Sequence, residues 1–222
     1  MVDDDTIIRN YLKVLEFGEK HSGCSKAHLG AGLFSKDDSY EPILGANGVV
    51  RENCRKKDSC TRVRDEGLQT EFRSCPSACG EAAVLFNMYH ISPEELENIY
   101  MISVRPPCER CTALMIMYGE KEIMTELYFG EYRNGEPRDT DNFNVDVVIA
   151  SGIKVHQIKF VDGAYKIFDV EQKHDLNDPY YKKLGLKLPN PVPYGHIRRN
   201  NLPLSRKLYS KKRKEIFGKT YM

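Results

Sequence analysis

The 222-residue sequence contains no run of about 18 apolar residues, the length that a bilayer-spanning helix requires. Its first residues, Met1-Val2-Asp3-Asp4-Asp5, are acidic where an export signal is basic and then apolar. Together these absences argue against a membrane helix and a secretory leader and predict a soluble, cytoplasmic protein. Without export, a disulfide framework is not expected either. Seven cysteines, an odd number, are then better explained by metal ligation or free thiols. A strong overall charge is also missing, since the formal net charge is +1, but the average conceals two opposed parts. The stretch from Lys182 to Met222 carries about +11 and the residues before it about −10. The length suffices for one substantial core and a small appendage.

Two short stretches carry the chemistry, Cys79-Gly80-Glu81 and Pro107-Cys108-Glu109-Arg110-Cys111. A Cys-x-x-Cys step at the start of a helix brings two thiolates onto one metal ion, and Cys79 supplies a third ligand from another helix. Three protein ligands leave a fourth position for water. Glu81 lies two residues beyond Cys79, so a helix starting there aims its carboxylate into the same cavity without reaching the metal, placed to move protons. The alternative is a structural zinc knot, which is closed by a fourth Cys or His. Such a knot has no need of the proline before Cys108, the glutamate after Cys79, or the apolar run that follows each cluster.

A Cys or His followed by x-Glu and later by Pro-Cys-x-x-Cys is the signature of the zinc-dependent nucleobase deaminases, and this sequence resembles that superfamily. The resemblance implies an α/β fold of three layers, α/β/α, with a mixed five-stranded sheet. The zinc-dependent deaminase domain is expected over residues 1–165 and a basic C-terminal extension over 166–222. Periodicity along the chain agrees with this layout. Ile7, Ile8, Tyr11, Leu12, Leu15 and Phe17 predict an amphipathic helix over Thr6–Lys20. Leu29–Phe34 and Pro42–Gly48 predict a hairpin. Ala78–Met88 is apolar nearly all round and predicts a buried helix that presents Cys79 and Glu81 from its first turn. Strands are expected at Asn98–Val104, Glu126–Tyr132 and Ile153–Val161. Helices are expected from Cys108 through Tyr118 and over Phe143–Ser151, with a polar loop at Arg133–Asn142. A helix between the fourth and fifth strands makes those strands parallel.

The resemblance also assigns roles. It implies that a zinc-activated hydroxide attacks C4 of cytosine while Glu81 shuttles the proton and ammonia leaves. Cys79, Cys108 and Cys111 would ligate the zinc. Gly45-Ala46-Asn47-Gly48 is similar to a Gly-Tyr-Asn-Gly stretch at the active-site rim of deoxycytidylate deaminases, which makes Asn47 a substrate contact. From the residues alone Asn47 is equally a turn asparagine before a left-handed glycine. Residues 49–77 resemble the region where phage deoxycytidylate deaminases hold a structural zinc. Some of Cys24, Cys54, Cys60 and Cys75, with His21 in place of one, are candidates for a second zinc, and free thiols are the alternative. Three thiolates make the metal centre more negative than one His with two Cys, so a cation near a thiolate is expected, with Arg73, Arg105 and Arg110 as candidates.

Free-cytidine deaminases of this superfamily use Cys as first ligand but join the last strands by a turn. Deoxycytidylate and tRNA adenosine deaminases use a helix there and usually His as first ligand. Here Cys79 is combined with the helix. Arg51, Arg55, Lys56, Lys57, Arg62 and Arg64 form either a phosphate site or a solvated face, and they favour a pyrimidine mononucleotide such as dCMP or CMP as substrate. The basic stretch around Arg206–Lys214 is either a helix against tRNA or another RNA, as tRNA adenosine deaminases carry, or a solubilising extension. Relatives form dimers, tetramers or hexamers, so a homo-oligomer is expected. A deaminase-like fold kept as a non-catalytic, zinc-stabilised binding protein is the remaining reading.

Overall fold

The computed structural model describes residues 2–24, 27–37, 41–48, 79–87, 98–119, 123–132 and 135–173. The first helix, α1 (Asp4–His21), begins where Asp3 accepts the Thr6 amide at 2.9 Å and the Thr6 hydroxyl at 2.9 Å. Ile7, Tyr11, Val14 and Gly18 recur at intervals of three and four residues and form its buried face. Six strands follow: β1 (Gly30–Ser35), β2 (Ile43–Ala46), β3 (Ile99–Ser103), β4 (Met124–Phe129), β5 (Lys154–Val161) and β6 (Ala164–Val170). Three further helices stand between them, α2 (Gly80–Asn87), α3 (Glu109–Gly119) and α4 (Asp139–Ala150).

The strands form one mixed sheet in the order β2-β1-β3-β4-β5-β6. The β1–β2 hairpin is antiparallel, β1 joins β3 antiparallel, and β3, β4 and β5 run parallel, each reached through an intervening helix. The expected parallel pairing of the fourth and fifth strands is therefore present. Alternation along β3 assigns the two faces of the sheet. Tyr100 and Ile102 pack with Phe34, Tyr128 and Ile158 beneath Ile7, Tyr11 and Val14 of α1. Ser103 points the other way, toward α2, and its hydroxyl meets Glu81. On that side α3 and α4 pack together through Ile116, Phe143 and Val147. The architecture is α/β/α, with α1 on one face and the remaining helices on the other. Among the described residues no helix is long and apolar enough to cross a membrane.

Two sequence expectations are corrected. The sheet has six strands rather than five, and the sixth lies across the expected domain boundary at residue 165. Val161-Asp162-Gly163-Ala164 closes a two-residue hairpin with Asp162 at φ 54° and Gly163 at φ 80°, the left-handed pair that an Asp-Gly turn supplies. Ladder bonds to β5 then extend from Ala164 to Val170. The second correction concerns α4, which starts at Asp139 and not near Phe143. The Asp141 carboxylate accepts the Arg138 amide at 3.1 Å and its guanidinium at 2.8 and 2.9 Å, which nucleates the first turn in a stretch that reads as polar loop.

Helix α1 crosses β1 at backbone distance. A Cβ on Gly18 would lie 2.6 Å from the Gly30 nitrogen, and one on Gly30 would run into the Val14 carbonyl oxygen. Neither neighbour is a side chain able to swing aside. Gly30→Ala is expected to cost about 2–3 kcal/mol, as overpacking of a tight core does. In a thermal melt this lowers the midpoint by roughly 5–10 °C for a chain of this size. Leu12→Ser, at a position 45% exposed, serves as the neutral control. A Gly30→Ala melt matching the parent would refute the close approach.

Candidate metal centre and its carboxylate

Cys79 and Cys108 occupy equivalent places, each immediately before a helix. The Cys79 carbonyl accepts the Ala83 amide at 3.0 Å and the Cys108 carbonyl accepts the Thr112 amide at 2.9 Å, so each residue caps its helix, α2 and α3 respectively. Pro106 and Pro107 cannot donate to a ladder, and they separate β3 from α3. The Pro107 carbonyl accepts the side-chain amide of buried Asn144 at 3.2 Å, which ties this turn to α4. On the other side Gly80 lets α2 settle on the sheet, since a Cβ there would lie 3.1 Å from the Ala31 nitrogen. Gly45 repeats this on β2, with the Gly80 carbonyl 2.9 Å from where its Cβ would be.

These contacts bring three sulfurs together. Cys79 Sγ and Cys108 Sγ are 3.4 Å apart, Cys108 Sγ and Cys111 Sγ 3.5 Å, and all three lie within 4.8 Å of one another. A tetrahedral zinc ion with bonds of about 2.3 Å to sulfur sets its thiolates about 3.8 Å apart. The donor set and spacing fit such an ion. Among the described residues no other group of three His, Cys, Asp or Glu side chains is so arranged.

Hydrogen bonds among the sulfurs, with burial, govern the charges. Those shared with Cys111 and Cys79 hold the Cys108 thiol far below its ordinary value, and the backbone amides of Cys111 and Arg110 at the first turn of α3 add to the effect. Cys79 and Cys111 are pushed up, chiefly by their hydrogen bonds with Cys108. The helix amino end thus supplies part of the positive charge that the sequence assigns to an arginine.

Glu81, in the first turn of α2, is buried beside the sulfurs. One oxygen, Oε1, accepts the Ser103 hydroxyl at 2.7 Å, and the other, Oε2, lies 3.6 Å from Cys111 Sγ. Burial pushes this carboxyl up to about 7, with the Cys108 charge adding to the shift. A divalent cation on the cysteines would oppose that shift.

Asn47 has a different set of contacts. Its Oδ1 accepts the Ser22 hydroxyl at 2.6 Å and the Leu29 amide at 2.9 Å, and its Nδ2 donates to the Ala27 carbonyl at 2.7 Å. It is buried and braces the connection between α1 and β1 against the end of β2. The left-handed residues among those described are Asn98, Asp162, Gly135, Gly152 and Gly163, so the expected left-handed glycine after Asn47 is not found at Gly48.

Cys24 is half-buried and its amide donates to the Ser22 hydroxyl at 3.1 Å. The His21 ring sits against Phe17, with centroids 4.3 Å apart. Cys54, Cys60, Cys75, Arg73, the basic residues 51–64 and the basic tail lie outside the described residues. Two open grooves, of about 530 and 460 Å³, run along β4–β6 past Glu131, Tyr132 and Phe160, and neither is lined by Glu81 or the three cysteines. Chemistry, not concavity, locates the centre.

The buried partner of Glu81, Ser103, is absent from the sequence reading. Its only signal there is a polar residue ending an apolar strand run. Thr112, fully buried beside Cys111, has a hydroxyl without a hydrogen-bond partner among the described residues.

No family model matches the sequence, and no curated protein matches it. Among solved structures the chain is similar to the dCMP deaminase from the cyanophage S-TIM5 in complex with dCMP and dUMP, with a TM-score of 0.48 and 16% identity, over 71% of this chain and 99% of that one. The apo form of the same enzyme gives 0.45 and 16%, over 70% and 99%.

Zinc analysis of purified protein is expected to show one equivalent lost in Cys79→Ser and in Cys111→Ala. Removal of the ion by a chelator lowers the melting midpoint, because a ligand present at a thousandfold its dissociation constant stabilises the folded state by about 4 kcal/mol. Cobalt substitution gives thiolate charge-transfer absorption that weakens in the same variants. Full zinc content in both variants would refute the triad. Asn47→Ala, which leaves the half-buried Leu29 amide and Ala27 carbonyl without their side-chain partner, is expected to destabilise by roughly 1 kcal/mol, measured by denaturant titration.

Proposed function

We propose that this chain is a zinc-dependent hydrolytic deaminase that converts cytosine to uracil in a mononucleotide of the dCMP or CMP kind. The observation that carries the reading is the convergence of Cys79, Cys108 and Cys111 beside a buried Glu81. A zinc ion on the three thiolates supplies Lewis-acid activation of water. Glu81 accepts a proton from the attacking water and passes it to the ring nitrogen next to C4, then takes the remaining proton from the added hydroxyl and gives it to the amine, which leaves C4 as ammonia. Water and cytosine thus become uracil and ammonia with no other reactant. A closed structural zinc site has four protein ligands, and among the described residues the donor set is three with a carboxylate alongside. We assign phosphate recognition to the basic residues between Arg51 and Arg64, and nucleotide chemistry to the part of the chain before its basic extension.

Ammonia release, followed in parallel with dCMP, CMP, deoxycytidine, cytidine and bulk tRNA, tests the proposal. Turnover of a mononucleotide is expected, with a loss of about 10²–10⁴-fold in Glu81→Ala, the range for removing a general acid/base. A Glu81→Ala protein as active as the parent would refute the mechanism. Activity on tRNA alone would move recognition to the basic tail, and its affinity would then fall steeply with salt.

A further inference from the structure

We infer that Ser103 is the positioning residue for Glu81, fixing the plane of its carboxylate so that one oxygen faces the three cysteines; the inference rests on reading this centre as a deaminase site. Ser103 closes β3 in the middle of the sheet, paired with Ala31 of β1 on one side and Phe129 of β4 on the other. It is 1% exposed, so its backbone is held by two ladders and its side chain by packing. Its hydroxyl donates to Glu81 Oε1 at 2.7 Å. The Arg105 amide reaches the same hydroxyl oxygen at 3.5 Å, from the turn that leads to Pro106. With that amide approaching its lone pairs, the hydroxyl directs its proton to the carboxylate.

The consequence is a division of labour between the two oxygens. Oε1 is tied to the sheet, and Oε2 is left on the side of Cys111 Sγ, 3.6 Å away. The terminal torsion of a glutamate is broad, so α2 alone does not fix the plane of the carboxylate. Ser103, by holding one oxygen, fixes it and turns the other toward the sulfurs. A carboxylate that must collect a proton at one place and deliver it at another depends on that orientation, and small misplacements in such sites cost rate steeply. Among the described residues the Ser103 hydroxyl bonds to Glu81 and the Arg105 amide and to no sulfur. Its action passes through Glu81.

The test uses the zinc-loaded full chain and the variants Ser103→Ala and Ser103→Thr. Ser103→Ala is expected to lower kcat by about 10–100-fold, leaving KM and zinc content close to the parent values. Ser103→Thr, which keeps the hydroxyl, restores most of kcat. A second measurement is independent of turnover: a thermal-melt cycle of Ser103→Ala, Glu81→Ala and the double variant, in which paired side chains give non-additive shifts. A Ser103→Ala enzyme with parental kcat, or a Ser103→Thr enzyme as slow as Ser103→Ala, overturns the inference. If the parent chain turns over none of the substrates, the deaminase reading itself fails, and additive melting shifts would then dispose of the Ser103–Glu81 coupling separately.

Discussion

Three thiols and a carboxyl crowded into one buried site repel one another once ionised, and most of the local architecture answers that repulsion. A cation is the strongest remedy, and three sulfurs within 4.8 Å are spaced to share one. The protein adds a second remedy of its own. Cys79 and Cys108 each cap a helix, so two helix amino ends lie at the cluster, and the Cys108 sulfur takes hydrogen bonds from the Arg110 and Cys111 backbone. A side-chain cation is therefore not required to carry the whole compensation.

Two helices end at one point only if the sheet beneath lets them approach. Gly80 and Gly45 remove the atoms that would hold α2 away from the β1–β2 hairpin, and Asn144 clasps the Pro107 carbonyl to keep the start of α3 in place. On the far face Gly18 and Gly30 permit α1 to lie directly on β1. The centre is thus seated on the sheet from one side while α1 stiffens the same strand from the other. Ser103 carries that rigidity into the chemistry, linking the middle strand to the carboxylate by one hydrogen bond.

Asn47 shows how a motif residue can have a full structural occupation. The sequence suggests either a substrate contact or a turn, and in the structure the side chain bridges Ser22, Ala27 and Leu29, residues 18 to 25 positions away. Nothing local in Gly45-Ala46-Asn47-Gly48 announces those partners. The hairpin to β6 is the opposite case, because Asp162-Gly163 is a strong local turn signal. It is easily passed over where the following strand alternates Tyr165, Ile167 and Lys166 near the start of the charged tail.

What the sequence determined by itself is whatever depends on neighbours a few residues apart. Cys79 and Glu81, or Cys108 and Cys111, need only a helix start to share a direction, so each pair was legible from spacing as a candidate for one site. The same holds for the face of α1 and for the parallel run of β4 and β5, which follows from having a helix between them. Tertiary structure alone decided that Cys79 meets Cys108, 29 residues on, at 3.4 Å, that Ser103 holds Glu81 across 22 residues, and that Asn47 serves the loop before β1. Such pairs come from packing two helix ends on one sheet, and packing distances have no period that a single chain can display.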